Sequence, residues 1–290
     1  MQTKLLRAVV VRHQRVVSLM VALVFSTAFS LATAHAENLK SAEITKITNQ
    51  VEIIPAGKAP EKASIGTVIQ GNTGVKTGAN SRTELTFPDK TLARLGANTL
   101  FSFESGTRTV ELKNGILLLQ VPKNAGGAKI TTAPVTAAIT GTTILVEFSS
   151  AQKSFRLTVI EGTVKLTSNT NSGQSVVLSP GKTVSFSNDT QTFSTPENAD
   201  IGQLLKTSST TKEGPLGNQQ EINDVLAMQQ ALKDQGIILQ VIDTDSANAL
   251  DNNAVEFGGV GTEGQLAPSG LGTSSSGAGS PGNLGNQTSP

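Results

Sequence analysis

The sequence contains no cysteine, tryptophan or tyrosine, and its two histidines, His13 and His35, both fall within the first 36 residues. Without cysteine the chain makes no disulfide, no thiolate metal site and no lipid-modified cysteine at a processed N-terminus. Beyond residue 36 the same absences remove Ser-His and Cys-His pairs, imidazole zinc ligands, and tyrosine as acid or nucleophile. Chemistry would have to rest on Asp, Glu, Lys, Arg, Ser and Thr alone, so the composition points away from an enzyme. No cofactor and no metal site is expected.

Residues 1–36 read as a secretory signal. Lys4, Arg7, Arg12 and Arg15 precede an apolar run over 16–32, and Ala34-His35-Ala36 has the small-x-small form of a cleavage site. The exported chain then begins at Glu37 and works in the periplasm or outside the cell. If uncleaved, the apolar run is long enough to act as a membrane anchor, and no other contact with a membrane is expected. Removing the four basic residues of this segment from the 23 in the chain leaves 19 against 22 acidic ones, a net charge of about −3. Nucleic acid is an unsuitable partner for such a chain.

From residue 43 to 195 the sequence is a succession of short Val-, Ile-, Leu-, Thr- and Phe-rich runs broken by Gly, Asn and Pro, the pattern of an all-β domain. Arg82-Thr83-Glu84-Leu85-Thr86-Phe87 alternates, which sets Thr83, Leu85 and Phe87 on one face and Arg82, Glu84 and Thr86 on the other. The charged face is expected to be solvated. Thr143-Ile144-Leu145-Val146-Glu147-Phe148 does not alternate cleanly and reads as a strand covered on both sides. Two stretches resemble each other, Val110-Glu111-Leu112-Lys113-Asn114-Gly115-Ile116-Leu117 and Leu157-Thr158-Val159-Ile160-Glu161-Gly162-Thr163-Val164. Each reads as strand, turn and strand, and Asn-Gly is a strong two-residue hairpin signal. Ser179-Pro180-Gly181-Lys182 turns the chain again. The expected fold is an antiparallel β-sandwich, jelly-roll-like, or a β-roll, followed by a short helical C-terminal segment and a disordered tail.

The order of these pieces resembles the FecR domain family. The matching elements are Lys76-Thr77-Gly78, Glu84-Leu85-Thr86-Phe87-Pro88-Asp89, Arg94-Leu95-Gly96, Leu112-Lys113-Asn114-Gly115, Thr132-Ala133-Pro134, Gly141-Thr142 and Val159-Ile160-Glu161-Gly162-Thr163-Val164. No single piece is specific, but seven in order are. The resemblance covers roughly residues 64–186. It departs from the family where the usual Asp-Gly turn is Asp89-Lys90, and where Thr-Pro is widened to Thr-Ala-Pro. Relatives that regulate iron-siderophore uptake place a cytoplasmic anti-sigma segment before a membrane helix, and their periplasmic β-domain receives a signal from an outer-membrane transporter. Here fifteen residues precede the apolar run, too few to fold. The resemblance therefore implies a stand-alone, exported copy of the sensing module, without the anti-sigma role.

Residues 196–257 read as a helical extension. A short helix is expected over 199–205 and an amphipathic one over 220–235, with Ile222, Val225, Leu226 and Leu232 on one face and Gly236 as its stop. Packing against the domain is the favoured role of that face, over binding a partner. Residues 237–242 extend the helix or form a strand. From 258 to 290 the chain is rich in Gly, Ser, Pro, Asn and Thr, the composition of a flexible tail.

Three motif matches carry no weight. Gly259-Val260-Gly261-Thr262-Glu263-Gly264 has the dinucleotide spacing but no helix after it to hold a pyrophosphate. Ser150-Ala151-Gln152-Lys153 and Lys76-Thr77-Gly78 imitate penicillin-recognising enzymes in reversed order and without the helix that should carry the serine. Asp243-Thr244-Asp245 begins like a calcium loop but lacks its later ligands.

The function expected is binding, to another envelope or surface protein or to a cell-wall or matrix polymer. Arg82, Glu84, Asp89, Lys90 and Arg94 serve, on the simpler reading, as a charged face that keeps the β-domain soluble and discourages edge pairing; on the sharper reading they are the candidate contact residues, because flanking charges set register when a strand edge accepts a partner. The rival reading is a structural component of a surface or extracellular matrix assembly.

Overall fold

A computed structural model describes residues 38–242 of the chain. The expected signal and the expected tail lie outside the described residues. Sixteen strands come first: β1 (Ser41–Thr48), β2 (Val51–Ile54), β3 (Glu61–Lys62), β4 (Val68–Gln70), β5 (Gly74–Thr77), β6 (Arg82–Thr86), β7 (Leu92–Leu95) and β8 (Leu100–Phe103). The second half holds β9 (Thr109–Gln120), β10 (Ala128–Thr131), β11 (Val135–Ser149), β12 (Ser154–Ser168), β13 (Ser175–Leu178), β14 (Lys182–Ser187), β15 (Thr192–Phe193) and β16 (Glu197–Asn198). Two helices follow, α1 (Ile201–Thr207) and α2 (Gln219–Asp234).

All sixteen strands join one continuous sheet that folds over itself, with the all-β architecture expected. Its main path runs β15-β14-β12-β11-β10-β9-β7-β6-β1-β4, and β9 also pairs β11 directly. A second branch, β3-β2-β5-β8, joins the same β9. Pairing is antiparallel except between β9 and β10. The long strands make the fold possible because each belongs to two regions at once. The first half of β9 pairs with β8 and its second half with β7, while β12 gives its first half to β14 and its second to β13.

The bends that allow this fall at the two stretches expected to be hairpins. Both strands instead run straight through, β9 past Asn114-Gly115 and β12 past Glu161-Gly162. A two-residue hairpin of the Asn-Gly kind needs positive φ at both central residues. Here only the glycines have it, Gly115 at 99° and Gly162 at 79°. One left-handed residue produces a bulge and a change of strand direction, not a reversal, and the register shifts opposite both sites. Ser179-Pro180-Gly181-Lys182 does turn the chain, closed by the Lys182 N–H donating to the Ser179 carbonyl.

The main core lies between the folded halves of the sheet. It includes Leu85, Phe87, Phe101, Phe103, Leu112 and Val146, and Phe87 meets Phe103 edge to face with centroids 5.0 Å apart. A second, smaller core covers the other side of β9, β11 and β12, where Ile116, Leu118, Leu145 and Ile160 pack against Ile201, Leu204, Leu216, Ile222 and Val225. This accounts for the unalternating run in β11. Ile144 and Val146 enter the main core, Leu145 enters the second, and every residue from 143 to 148 is buried.

The helices match the sequence pattern closely. Asp200 caps α1 by accepting from the Gln203 N–H, and Asn218 caps α2 by accepting from Gln220. The buried face of α2 is Ile222, Val225 and Gln229, with Leu226 partly buried against the second core; Leu232, expected on this face, does not belong to that core. Gly236 follows at φ 78°. Residues 237–242 neither extend the helix nor make a strand; they give a single bridge between Gln240 and Ala199. No helix among the described residues is long and apolar enough to cross a membrane.

Candidate functional site

The hairpin of β6 and β7 brings the candidate charges together. Its loop, Pro88-Asp89-Lys90, is closed by the Phe87 N–H donating to the Thr91 carbonyl and the Lys90 N–H donating to the Phe87 carbonyl. That closure fixes the register, so Glu84 stands directly opposite Arg94. The Glu84 carboxylate accepts from Arg94 Nε at 2.8 Å, from Lys46 Nζ on β1 at 2.9 Å and from the Thr45 hydroxyl at 2.9 Å. Burial pushes the Glu84 carboxyl upward, but the hydrogen bonds from Lys46, Arg94 and Thr45, with the Arg94 charge, outweigh it and hold it below its ordinary range.

This face is not solvated, contrary to the expectation from alternation. Glu84 is 6% exposed and Arg94 3%, because the segment between the helices, residues 208–218, lies over them. Arg94 donates to the carbonyls of Thr210 at 3.3 Å and Gly214 at 3.4 Å, and Lys46 donates to the Glu213 carbonyl at 3.0 Å. Arg82 Nε donates to the Glu213 carboxylate at 2.8 Å. Strand alternation predicts which side chains share a face, but it cannot say what a later segment places on that face.

Two further sheet residues fasten the segment's far end. Gln120 Oε1 accepts from the Gly217 N–H at 2.7 Å, and Glu161 accepts from the Asn218 N–H at 2.6 Å. Burial raises the Glu161 carboxyl above its ordinary range; the Asn218 N–H opposes this and the nearby Glu221 charge adds to it. Gly217 sits at φ 45°, and a Cβ there would lie 1.8 Å from Glu161 Oε2. Only glycine fits.

Asp89 and Lys90 belong to a separate cluster. The Asp89 carboxylate accepts from the Thr91 N–H and hydroxyl, both at 2.9 Å, and pairs with Arg108 at 2.7 Å. Arg108 also donates through Nε to the Gly127 carbonyl. Lys90 is exposed and left-handed at φ 65°, the conformation for which glycine is the default residue.

The five candidates thus divide. Arg82, Glu84 and Arg94 form one network under residues 208–218, and Asp89 and Lys90 shape the hairpin loop. Sequence reasoning missed Lys46, Thr45, Arg108, Gln120, Glu161 and Glu213. The Glu147 and Arg156 pair was also missed, although they face each other across β11 and β12 with bonds of 2.6 and 2.8 Å. Ser150 and Lys153 line a cleft of about 410 Å³ with Glu111, Pro134 and Phe148. The Ser150 hydroxyl donates to Asn114 Oδ1 at 3.1 Å, not to a base. No cluster of three or more His, Cys, Asp or Glu with metal-binding geometry occurs among the described residues.

Residues 73–165 match the family model described as FecR protein. The matched stretch runs from the edge of β5 into β12 and carries Arg82, Glu84, Asp89, Lys90, Arg94 and Glu161. Two crystal structures of a candidate anti-sigma factor from Parabacteroides distasonis ATCC 8503, at 1.65 and 2.50 Å resolution, are similar to it. Each is 16% identical and has a TM-score of 0.40 over 46% of this chain, covering 64% and 63% of the other. The similarity spans less than two thirds of those chains. A search of curated proteins found no match.

Proposed function

We propose that the chain is an exported, non-catalytic FecR-type sensing module that recognises another envelope protein or a cell-surface polymer. One observation carries this reading. The stretch that matches the FecR model holds a cluster of cations, Lys46 beside it and Arg82 and Arg94 within it, on a sheet face whose remaining acceptors come from a separate segment of the chain. Charges of this kind set register and partner choice where proteins associate. Catalysis has little support. Beyond residue 36 the chain has no His, Cys, Tyr or Trp, and Glu84, Asp89 and Glu147 are each engaged by a basic side chain.

Affinity capture from envelope fractions with the chain from Glu37 onward tests the reading. Retention of one envelope component supports it, and retention of none removes it.

A structural role in a surface assembly is the second reading, and one feature favours it. Ile238 is 93% exposed and Val241 61%, beside the single bridge of Gln240. Exposed apolar side chains of this kind invite contact with another chain. Sedimentation across a range of concentrations distinguishes the two: growing oligomers favour assembly, and a constant monomer with a captured partner favours sensing.

A further inference from the structure

Residues 208–218 sit on the charged face in the way a bound peptide would. They bring a carboxylate, Glu213, to Arg82, and the carbonyls of Thr210, Glu213 and Gly214 to Arg94 and Lys46. Three cations of the sheet, Lys46, Arg82 and Arg94, have one carboxylate of the sheet among them, Glu84. Lift the segment away and positive charge is left in excess. The contacts are also unequal in quality. Arg94 bonds Glu84 at 2.8 Å but reaches the segment only at 3.3 and 3.4 Å, near the limit for a useful hydrogen bond. Arg94 is thus held mainly by Glu84, while Arg82, Lys46, Gln120 and Glu161 fasten the segment to the sheet.

We propose that the β1–β6–β7 face is a docking site for a carboxylate-bearing peptide loop of a partner protein, and that residues 208–218 occupy it in cis as a stand-in for that loop. The assignment rests on the reading of the chain as a binding module. A peptide fits better than a polymer because the face takes one carboxylate together with backbone carbonyls no more than five residues apart. Gly217 is the latch. Its N–H reaches Gln120, and a Cβ added there would fall 1.8 Å from Glu161 Oε2 and 2.6 Å from Thr143 Oγ1 at a φ of 45°, so a side chain strains the segment's seat on the sheet. A partner that lifts residues 208–218 would also disturb the N-cap of α2 at Asn218, which carries the event to the C-terminal part of the chain.

The test uses the full chain, its Glu213→Lys and Gly217→Ala variants, and a labelled synthetic peptide of residues 208–218 as probe. Wild type, already filled in cis, should bind the probe at least about tenfold more weakly than either variant, in the manner of a site whose competent state is rarely populated. Adding Arg82→Glu to Gly217→Ala should abolish the gain, and raised salt should weaken it. No saturable binding to folded variants overturns the docking site. Equal binding by wild type and variants overturns occupation in cis, and tighter binding of polyphosphate than of the peptide overturns the peptide assignment. Hydrogen exchange on the unaltered chain decides the matter even if both variants lose their β-sheet signal. Amides of 208–218 should exchange before those of β6, and equal protection overturns an exchangeable segment. An envelope partner captured equally by wild type and Gly217→Ala removes the stand-in and leaves the binding module standing. Failure of capture by both, with the peptide still binding the variants, removes the module's proposed envelope partner instead.

Discussion

Glu84 and Arg94 face each other across the β6–β7 hairpin, 2.8 Å apart, and both are buried under a segment that arrives more than a hundred residues later. A buried pair of this kind is no guarantee of net stability, but Arg94→Met removes the more buried of the two cations on Glu84 and leaves its carboxylate to Lys46 and Thr45. The variant should destabilise the fold by about 2–3 kcal/mol. Arg82→Met, on the rim and 30% exposed, should cost no more than about 1 kcal/mol. Urea unfolding followed by far-UV circular dichroism measures both, since no Trp or Tyr is present to report by fluorescence. Equal losses would contradict the burial of Arg94.

Two of the buried carboxylates, Glu84 and Glu161, titrate with opposite signs. Glu84 in the folded chain lies below its ordinary value of 4.5, so its stabilisation is complete above about 4.5 and lost as pH falls through the folded value. Glu161 lies above 4.5. Its contribution is present below about 4.5 and lost as pH rises through the folded value, so at neutral pH its charge is a burden. Glu161→Gln keeps an acceptor for the Asn218 N–H and removes that charge. Its melting temperature should exceed wild type at pH 7, with the gap closing as pH falls toward 4.5. A gap that widens on acidification would contradict the sign.

Lys90 occupies a left-handed position in the hairpin loop. Lys90→Gly should stabilise the chain by up to about 1 kcal/mol, the strain relieved less the entropy that glycine adds to the unfolded chain. Thermal melts check this. A clear loss would show that the lysine side chain makes an interaction there that outweighs the strain.

Phe87 anchors the main core against Phe103. Phe87→Ala should cost about 3–5 kcal/mol, whereas Thr86→Ala, on the opposite face of the same strand and half-buried, should cost about 1 kcal/mol or less. Reversal of that order in denaturant unfolding would invert the strand's faces.

Much of this was legible in local sequence. The alternation of 82–87 and the solid apolar run of 143–148 marked the strand faces and the central strand, and the apolar spacing of 220–235 with Gly236 after it marked the second helix. The opposition of Glu84 and Arg94 follows from the Pro88-Asp89-Lys90 loop once its closing pair, Phe87 and Thr91, is placed. What was not legible depends on distance along the chain. Nothing near Glu84 announces that Glu213 will arrive above it, and nothing near Glu161 announces Gly217. Asn114-Gly115 misled for a different reason. Its hairpin reading requires both residues to be left-handed, and the flanking pairs with β8, β7 and β11 hold β9 in one direction, so that only the glycine turns.

Under the proposed function the chain, whose residues 73–165 match the FecR model, works by binding through the charged face of β6 and β7. The most direct measurement is the saturable retention of envelope components by the immobilised chain from Glu37 onward, compared with its Arg82→Glu variant after circular dichroism has shown both to be folded. Stoichiometric retention of one component by the wild type, lost or sharply weakened in the variant, is the predicted result. Retention of nothing but further copies of the chain, or of the same component equally by both, would contradict it.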